Sequence, residues 1–218
     1  MNAFQIKVIA ITAMIIDHMG LFFFPQFIWL RVIGRLAFPL FAWLIANGAR
    51  HTHNIKRYLI RLFLFALLAQ VPFMMANRLV DPHFQNLNVL FTLFLGLLAI
   101  FGIQKTKYWV ERLVIIFVCV VVAQIVQTDY GGFGVALVIA SYLFFTNFKR
   151  LVIAQSILFL IYSYVFSSIE IFGLVSLIFI SLYNNRSGLQ AKYLFYVFYP
   201  MQYVLYYIIL LWVLRFIH

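Results

Sequence analysis

The chain has 218 residues, 66% hydrophobic and 20% aromatic, with mean hydropathy +1.04 and a formal net charge of +11. Soluble domains are about 45–50% apolar, so this composition excludes a water-soluble globular protein, and no stretch is polar enough to form a soluble appendage. The basic residues fall in short connections between apolar runs, as membrane topology requires, which excludes the nucleic-acid reading that the charge alone invites.

A helix that crosses a bilayer needs roughly 20 mostly apolar residues, with about 17 as the lower limit. In chain order nine runs meet this, the sixth to eighth loosely: 4–24, 31–49, 57–76, 87–104, 109–127, 132–147, 150–166, 168–184 and 193–216. The first lacks a small-residue cleavage site after a short apolar core, and reads as a retained helix rather than a signal peptide. The single cysteine, Cys119, lies in the fifth run and reads as a buried small hydrophobe that cannot form an intrachain disulfide. Pro25, Asp81-Pro82, Gly131-Gly132 and the stretch from Asn184 to Gly188 punctuate the connections. No internal repeat is visible. The expected fold class is an all-α integral membrane protein of about nine transmembrane helices, one polytopic domain over 1–218.

Loop charges set the expected orientation. The even connections carry Arg50, Lys56 and Arg57, then Lys105 and Lys107, then Lys149 and Arg150, then Arg186 and Lys192. The odd ones carry little beyond Arg31, Arg78 offset by Asp81, Asp129 and Glu170. The positive-inside rule then places the N-terminus and even connections in the cytoplasm, and the odd connections and C-terminus outside. On that topology Asp17, His18, Arg35, Gln70, Asn88, Thr92 and Asp129 converge at one depth, suggesting a polar cavity near the outer side.

Asp17-His18 is the costliest feature of the first run. A carboxylate at a helix centre costs roughly 2.5–3.5 kcal/mol on insertion scales, and the chain has only five acidic residues. Adjacent helical positions point about 100° apart, so the two do not pair with each other. One faces a cavity and the other meets Arg35 or Arg31 on the next helix. The structural alternative is an ion pair that only locks the first two helices. Functionally, His18 is a candidate general base, Asp17 holds its surroundings, and Arg35 is an oxyanion stabiliser. Gly34 allows close helix approach, and Pro39 is expected to kink the second helix. The cytoplasmic cluster around Arg50, Lys56, Arg57 and Arg61 is either a topology signal or a dock for a polyanion such as coenzyme A. Asp129-Tyr130-Gly131-Gly132 lacks the Lys of a phosphate-binding loop and reads as a tight turn. Tyr193 and Tyr203 read as interfacial aromatics, while Pro200 and Gln202 suggest a kink beside a cavity. No second His stands four residues from His18, so no metal site is expected.

Six blocks in order carry a family resemblance: Ala10 to His18; Gly34 to Phe41; Asn47-Gly48 with Thr52 and Tyr58 to Leu62; Asn88 to Thr92 with Gly96; Asp129-Tyr130-Gly131; and Lys192 with Phe195 to Pro200. Together they resemble the TraX family, named for the F-pilin acetylase of conjugation systems. The family's last block has a Tyr-Pro-x-His pattern, and this chain has Gln202 at the His position. The resemblance implies a multi-pass acetyltransferase of the bacterial cytoplasmic (inner) membrane. It would move an acetyl group from cytosolic acetyl-CoA to the amine or hydroxyl of an extracytoplasmic acceptor such as a pilin or other secreted peptide. It further implies coenzyme contacts at Asn47, Arg50, Thr52, Lys56, Arg57, Arg61, Lys192, Tyr196 and Tyr199. Acceptor contacts would come from Gln70, Asn88, Thr92, Asp129, Tyr130 and Gln202. Two other classes remain open from the residues themselves: a proton-coupled transporter using Asp17 and His18 as relay, and a non-catalytic membrane assembly factor.

Overall fold

Asparagine side chains start four of the long helices, in a computed structural model of the chain. The structure describes residues 1–189 and 192–217, and their side chains except those of 192–195, 214, 216 and 217. Asn2 accepts from the Gln5 backbone N–H at 2.9 Å, while the Gln5 side chain accepts from the Asn2 N–H, a reciprocal cap that opens α1 (Ala3–Phe22). Asn54, Asn88 and Asn147 cap α4 (Ile55–Arg78), α5 (Val89–Lys105) and α8 (Phe148–Val165) without the reciprocal bond, each side chain accepting one first-turn N–H. Between these lie α2 (Ile28–Gly34), α3 (Ala37–His51), α6 (Trp109–Ile125) and α7 (Gly131–Leu143). A 3-10 helix (Ser168–Val175) runs into α9 (Ser176–Ser181), and α10 (Lys192–Ile217) ends the described chain.

Every one of the nine apolar runs is helical, but not every one is a full span. Among the described residues five stretches are long and apolar enough to cross a membrane: Ala3–Phe22, Ile28–His51 taken across its turn, Ile55–Arg78, Phe148–Val165 and Tyr196–Val213. The others are 17 residues or shorter. Helix α7, with 13 residues, rises only about 20 Å at 1.5 Å per residue, less than the ~30 Å hydrocarbon core. It is buried along most of its length and packs against α3, α5, α6 and α8. Its apolar run reflects burial in the protein, which periodicity alone cannot separate from burial in lipid. By contrast α4, α6 and α8 expose rows of large apolar residues, among them Leu67, Leu68, Val71, Phe117, Ile153 and Ile157, the surface of a multi-pass membrane protein that lipid covers.

The connections sort into two sets, each stitched to its own members. At one end, the Ala3 N–H donates to the Arg186 carbonyl at 2.8 Å, and the Arg50 guanidinium donates to the Tyr142 carbonyl at 3.1 Å. There too Gln104 reaches the Tyr142 hydroxyl, and the Tyr183 hydroxyl reaches Asn47. At the other end, Leu87 exchanges backbone hydrogen bonds with Gln127 and Asp129, and Arg31 and Arg35 meet Asp17 and Glu170. These are the two sets that alternating loop charge separates.

Candidate active site at the Asp17 and His18 end

Pro39 has no N–H to give the Arg35 carbonyl, and its ring would clash there in a continuous helix. The second apolar run therefore breaks one turn before the proline, at Arg35-Leu36, and restarts as α3 with Pro39 in its first turn. The expected disruption thus takes the form of a two-residue turn displaced upstream, with Arg35 and Leu36 still in the right-handed helical region. It puts the Arg35 side chain, 7% exposed, between α1 and the 3-10 helix.

Arg35 is triply held. Its Nε donates to the Arg31 carbonyl at 3.1 Å, Nη1 to Glu170 Oε1 at 2.5 Å and Nη2 to Asp17 Oδ1 at 2.5 Å. Arg31 Nη1 donates to the other Asp17 oxygen, Oδ2, at 2.6 Å. Two guanidiniums and two carboxylates neutralise one another, the condition under which buried charge is tolerated. The approach is close because residue 34 is glycine. A Cβ there would lie 2.1 Å from Asp17 Oδ1.

About 100° round α1, His18 faces the other way, toward α10. Its Nδ1 lies 3.1 Å from Gln202 Nε2 and its Nε2 lies 3.0 Å from the Tyr203 hydroxyl. Gln202 Nε2 also donates to the Tyr206 hydroxyl at 2.7 Å. The rings of Phe22, Tyr203 and Tyr206 surround the imidazole, with centroids 5.0–6.2 Å away. Asp17 and His18 do not pair, as their spacing requires, and both ring nitrogens are engaged.

A cavity of about 440 Å³ lies between these groups, lined by Asp17, His18, Arg31, Arg35, Asp81, Asp129, Tyr130, Glu170, Tyr199 and Tyr203 among others. Four of the chain's five acidic residues border it, against two arginines. Asp129 sits in a tight connection where Gln127 and Tyr130 both take positive φ, 51° and 62°. Leu87 backbone bonds and the Thr92 hydroxyl, which donates to the Asp129 carbonyl, fix that connection. Tyr130 stacks on Phe38, centroids 4.0 Å apart. Asp129 makes no ion pair among the described residues, and burial pushes its carboxyl up to about 6, against the opposing pull of Arg35.

Of the residues singled out from the sequence, Asp17, His18, Arg35, Asp129, Tyr130 and Tyr199 meet at this cavity. Gln202 stands behind it on His18. Gln70, Asn88 and Thr92 do not line it. Gln70 Oε1 accepts from Asn88 Nδ2 at 2.8 Å and from the Asn88 N–H at 2.9 Å, tying α4 to α5. Thr92 acts on the cavity only through the Asp129 backbone. Tyr203, read as interfacial, is 2% exposed and touches His18. The Tyr193 side chain lies outside those described. Glu170, Tyr203 and Tyr206 were missed as site residues. A signal existed: Tyr199, Gln202, Tyr203 and Tyr206 recur at helical spacing and form one buried stripe of α10.

The basic cluster lies at the opposite end. Arg50 packs over the Tyr142 and Phe145 rings, and Arg61 lies between the Tyr58 and Tyr196 rings, each 5.6 Å from Arg61. Lys56 and Arg57 are near the start of α4 beside Asn54 and Thr52, Arg57 exposed and Lys56 likewise open to solvent. Asn47 is buried and bonded by Tyr183 and, through its carbonyl, by His51. The Lys192 side chain lies outside those described. Among the described residues no His, Cys, Asp and Glu gather as a metal site.

Fold and site together define a polytopic helical membrane protein with a neutralised ion cluster and an imidazole at one end of the bundle. The sequence profile of the TraX protein family matches residues 3–212, and the chain belongs to that family. A probable fimbrial assembly protein FimC of Dichelobacter nodosus is 43% identical over 111 residues, 45% of each chain. Protein TraX of Escherichia coli is 28% identical over 139 residues, 63% of this chain and 54% of that protein. An uncharacterized protein of Rickettsia prowazekii is 25% identical over 142 residues, again 63% and 54%. The matches span about half the length of these relatives. No solved structure matches.

Proposed function

We propose that this protein is a membrane acetyltransferase of pilus or fimbrial biogenesis in the bacterial cytoplasmic membrane. It moves an acetyl group from cytosolic acetyl-CoA to the amine of an extracytoplasmic peptide such as a pilin. The observation that carries the reading is the pairing of two separated sites: an acid-rich cavity with a buried imidazole at one end, and a basic cluster at the other. The name of the Dichelobacter relative, a fimbrial assembly protein, supports the pilin context.

The basic end suits the coenzyme's phosphates. Lys56 and Arg57 stand in the first turn of the 24-residue helix α4, where the helix dipole also favours an anion. Arg50 and Arg61 are held against aromatic rings beside them. Residues 35 and 50 are separated by about 22 Å along the helix axis at 1.5 Å per residue, a span that an extended pantetheine arm has to cover in part.

At the cavity, the excess of carboxylates attracts the acceptor's ammonium. Asp129, its carboxyl near 6, takes a proton from that ammonium and frees the nitrogen lone pair, since a base works best with a pKa near the working pH. Nitrogen attacks the thioester carbonyl carbon and the C–N bond forms; as the C–S bond breaks, the nitrogen's second proton passes to the departing coenzyme sulfur, which leaves as the thiol. Arg35 lines the cavity, its three bonds leave two of its five N–H groups unused, and its charge supplies positive potential for the developing oxyanion.

The test is reconstitution in proteoliposomes, with labelled acetyl-CoA on the basic face and an amine-terminated apolar peptide on the other. Label on the peptide's amino terminus is expected. A protein that moves peptide or ions without coenzyme, or that binds pilin and never acetylates it, refutes the enzyme reading.

A further inference from the structure

We propose that Tyr203, rather than His18, is the side chain that meets the reacting atoms, with His18 and Gln202 acting through it. The assignment rests on the acyl-transfer reading above and adds the identity of a hydrogen-bond donor at the reaction centre.

His18 has no ring nitrogen left for a substrate. Gln202 Nε2 lies 3.1 Å from Nδ1 and donates to Tyr206 at 2.7 Å, so one amide N–H serves each. We assign the tautomer in which Nδ1 accepts from Gln202 and Nε2 carries the ring proton. In that tautomer the Nε2–H donates to the Tyr203 oxygen, 3.0 Å away. The imidazole is 9% exposed and walled by the rings of Phe22, Tyr203 and Tyr206. Tyr203 borders the same cavity as His18 and is 2% exposed; with His18 Nε2–H as donor to its oxygen, its own O–H is left to donate.

An N–H donor behind a phenol stabilises negative charge developing on its oxygen, which strengthens the O–H as a hydrogen-bond donor. In the transfer step, the Tyr203 O–H donates to the thioester carbonyl oxygen as nitrogen adds to carbon. It holds the negative charge until the C–S bond breaks and the carbonyl re-forms. The Tyr203 proton is not consumed, so the balance of the step is unchanged. Gln202 sits directly on Nδ1, where its amide N–H holds the assigned tautomer.

The experiment is a double-mutant cycle in proteoliposomes, with thermal unfolding as the folding control. Tyr203→Phe should lower kcat about 100-fold with KM for the peptide unchanged, the scale of losing one oxyanion donor. His18→Gln should lower kcat at least 10-fold in the wild type, yet less than 2-fold in the Tyr203→Phe background, since residues acting as a unit are non-additive. Equal losses in both backgrounds would overturn the assignment, and so would full kcat in Tyr203→Phe. If Tyr203→Phe fails to fold, fluorotyrosine at 203 replaces it. This keeps the shape and makes the phenol more acidic, so a changed kcat at unchanged KM supports the role and an unchanged kcat overturns it. An inactive wild type would instead defeat the acyl-transfer reading.

Discussion

Gly34→Ala should break the ion cluster without touching a charged residue. The new methyl carbon would sit 2.1, 2.3 and 2.5 Å from Asp17 Oδ1, Cβ and Cγ, where ordinary contacts begin near 3.4 Å. Asp17 cannot yield at its tip alone, because its Cβ clashes too, so α1 and α2 must part by more than 1 Å. Stretching the Arg35–Asp17 contact from 2.5 Å to about 4 Å forfeits about 2–3 kcal/mol at an effective dielectric near 20. Alanine's better helix propensity returns about 1 kcal/mol at most. The Arg31–Asp17 contact, at 2.6 Å, stretches with it, so the net loss is about 2 kcal/mol or more. For a chain of this size that lowers the unfolding midpoint by about 4–8 °C. Thermal unfolding of the purified protein in detergent, followed by circular dichroism, measures it. A midpoint within about 1 °C of wild type would refute the idea that residue 34 sets this approach.

Three further outcomes follow from the same geometry. Glu170→Gln should destabilise by about 2 kcal/mol, seen as a lower unfolding midpoint, because Arg35 keeps its charge and loses one of two carboxylates; an unchanged midpoint contradicts this. The double variant Lys56→Ala with Arg57→Ala should raise KM for acetyl-CoA about 10-fold, leave kcat and the unfolding midpoint unchanged, and blunt the salt dependence of KM. Coenzyme kinetics indifferent to both substitutions would move the coenzyme elsewhere. Acetyl transfer should fall as pH drops through about 6, where Asp129 takes up its proton and ceases to be a base. Asp129→Asn should remove that inflection together with most of the rate, and an inflection that survives belongs to another group.

Much of the helical layout was legible because apolar runs and their polar breaks are local properties. Asn88 stands at an expected helix start, Asn54 and Asn147 stand three residues before the expected starts at 57 and 150, and the alternation of loop charge matches the two stitched sets of connections. Asp17 and Arg35 were legible as partners since a charge in a membrane helix demands another at its depth. Glu170 was not, because a lone acid in a connection looks solvated. Its tie to Arg35 spans 135 residues and depends on the break that Pro39 imposes one turn upstream. Tyr203 reads as interfacial from sequence because it closes an aromatic-rich stretch that opens the last apolar run, although it stands mid-helix in α10. Only the stripe it forms with Tyr199, Gln202 and Tyr206 shows that it faces inward. The shorter helices escaped for a different reason, since burial in protein and burial in lipid leave the same composition.

The central claim is that the imidazole at this end of the bundle serves acetyl transfer. Its most direct measurement is the rate of label transfer from acetyl-CoA to an amine-terminated pilin-like peptide, wild type against His18→Ala, both in proteoliposomes and both shown to be folded. Transfer by the wild type and a loss of about 100-fold in the variant are expected. Equal rates in the two proteins, or no transfer by either, would contradict it.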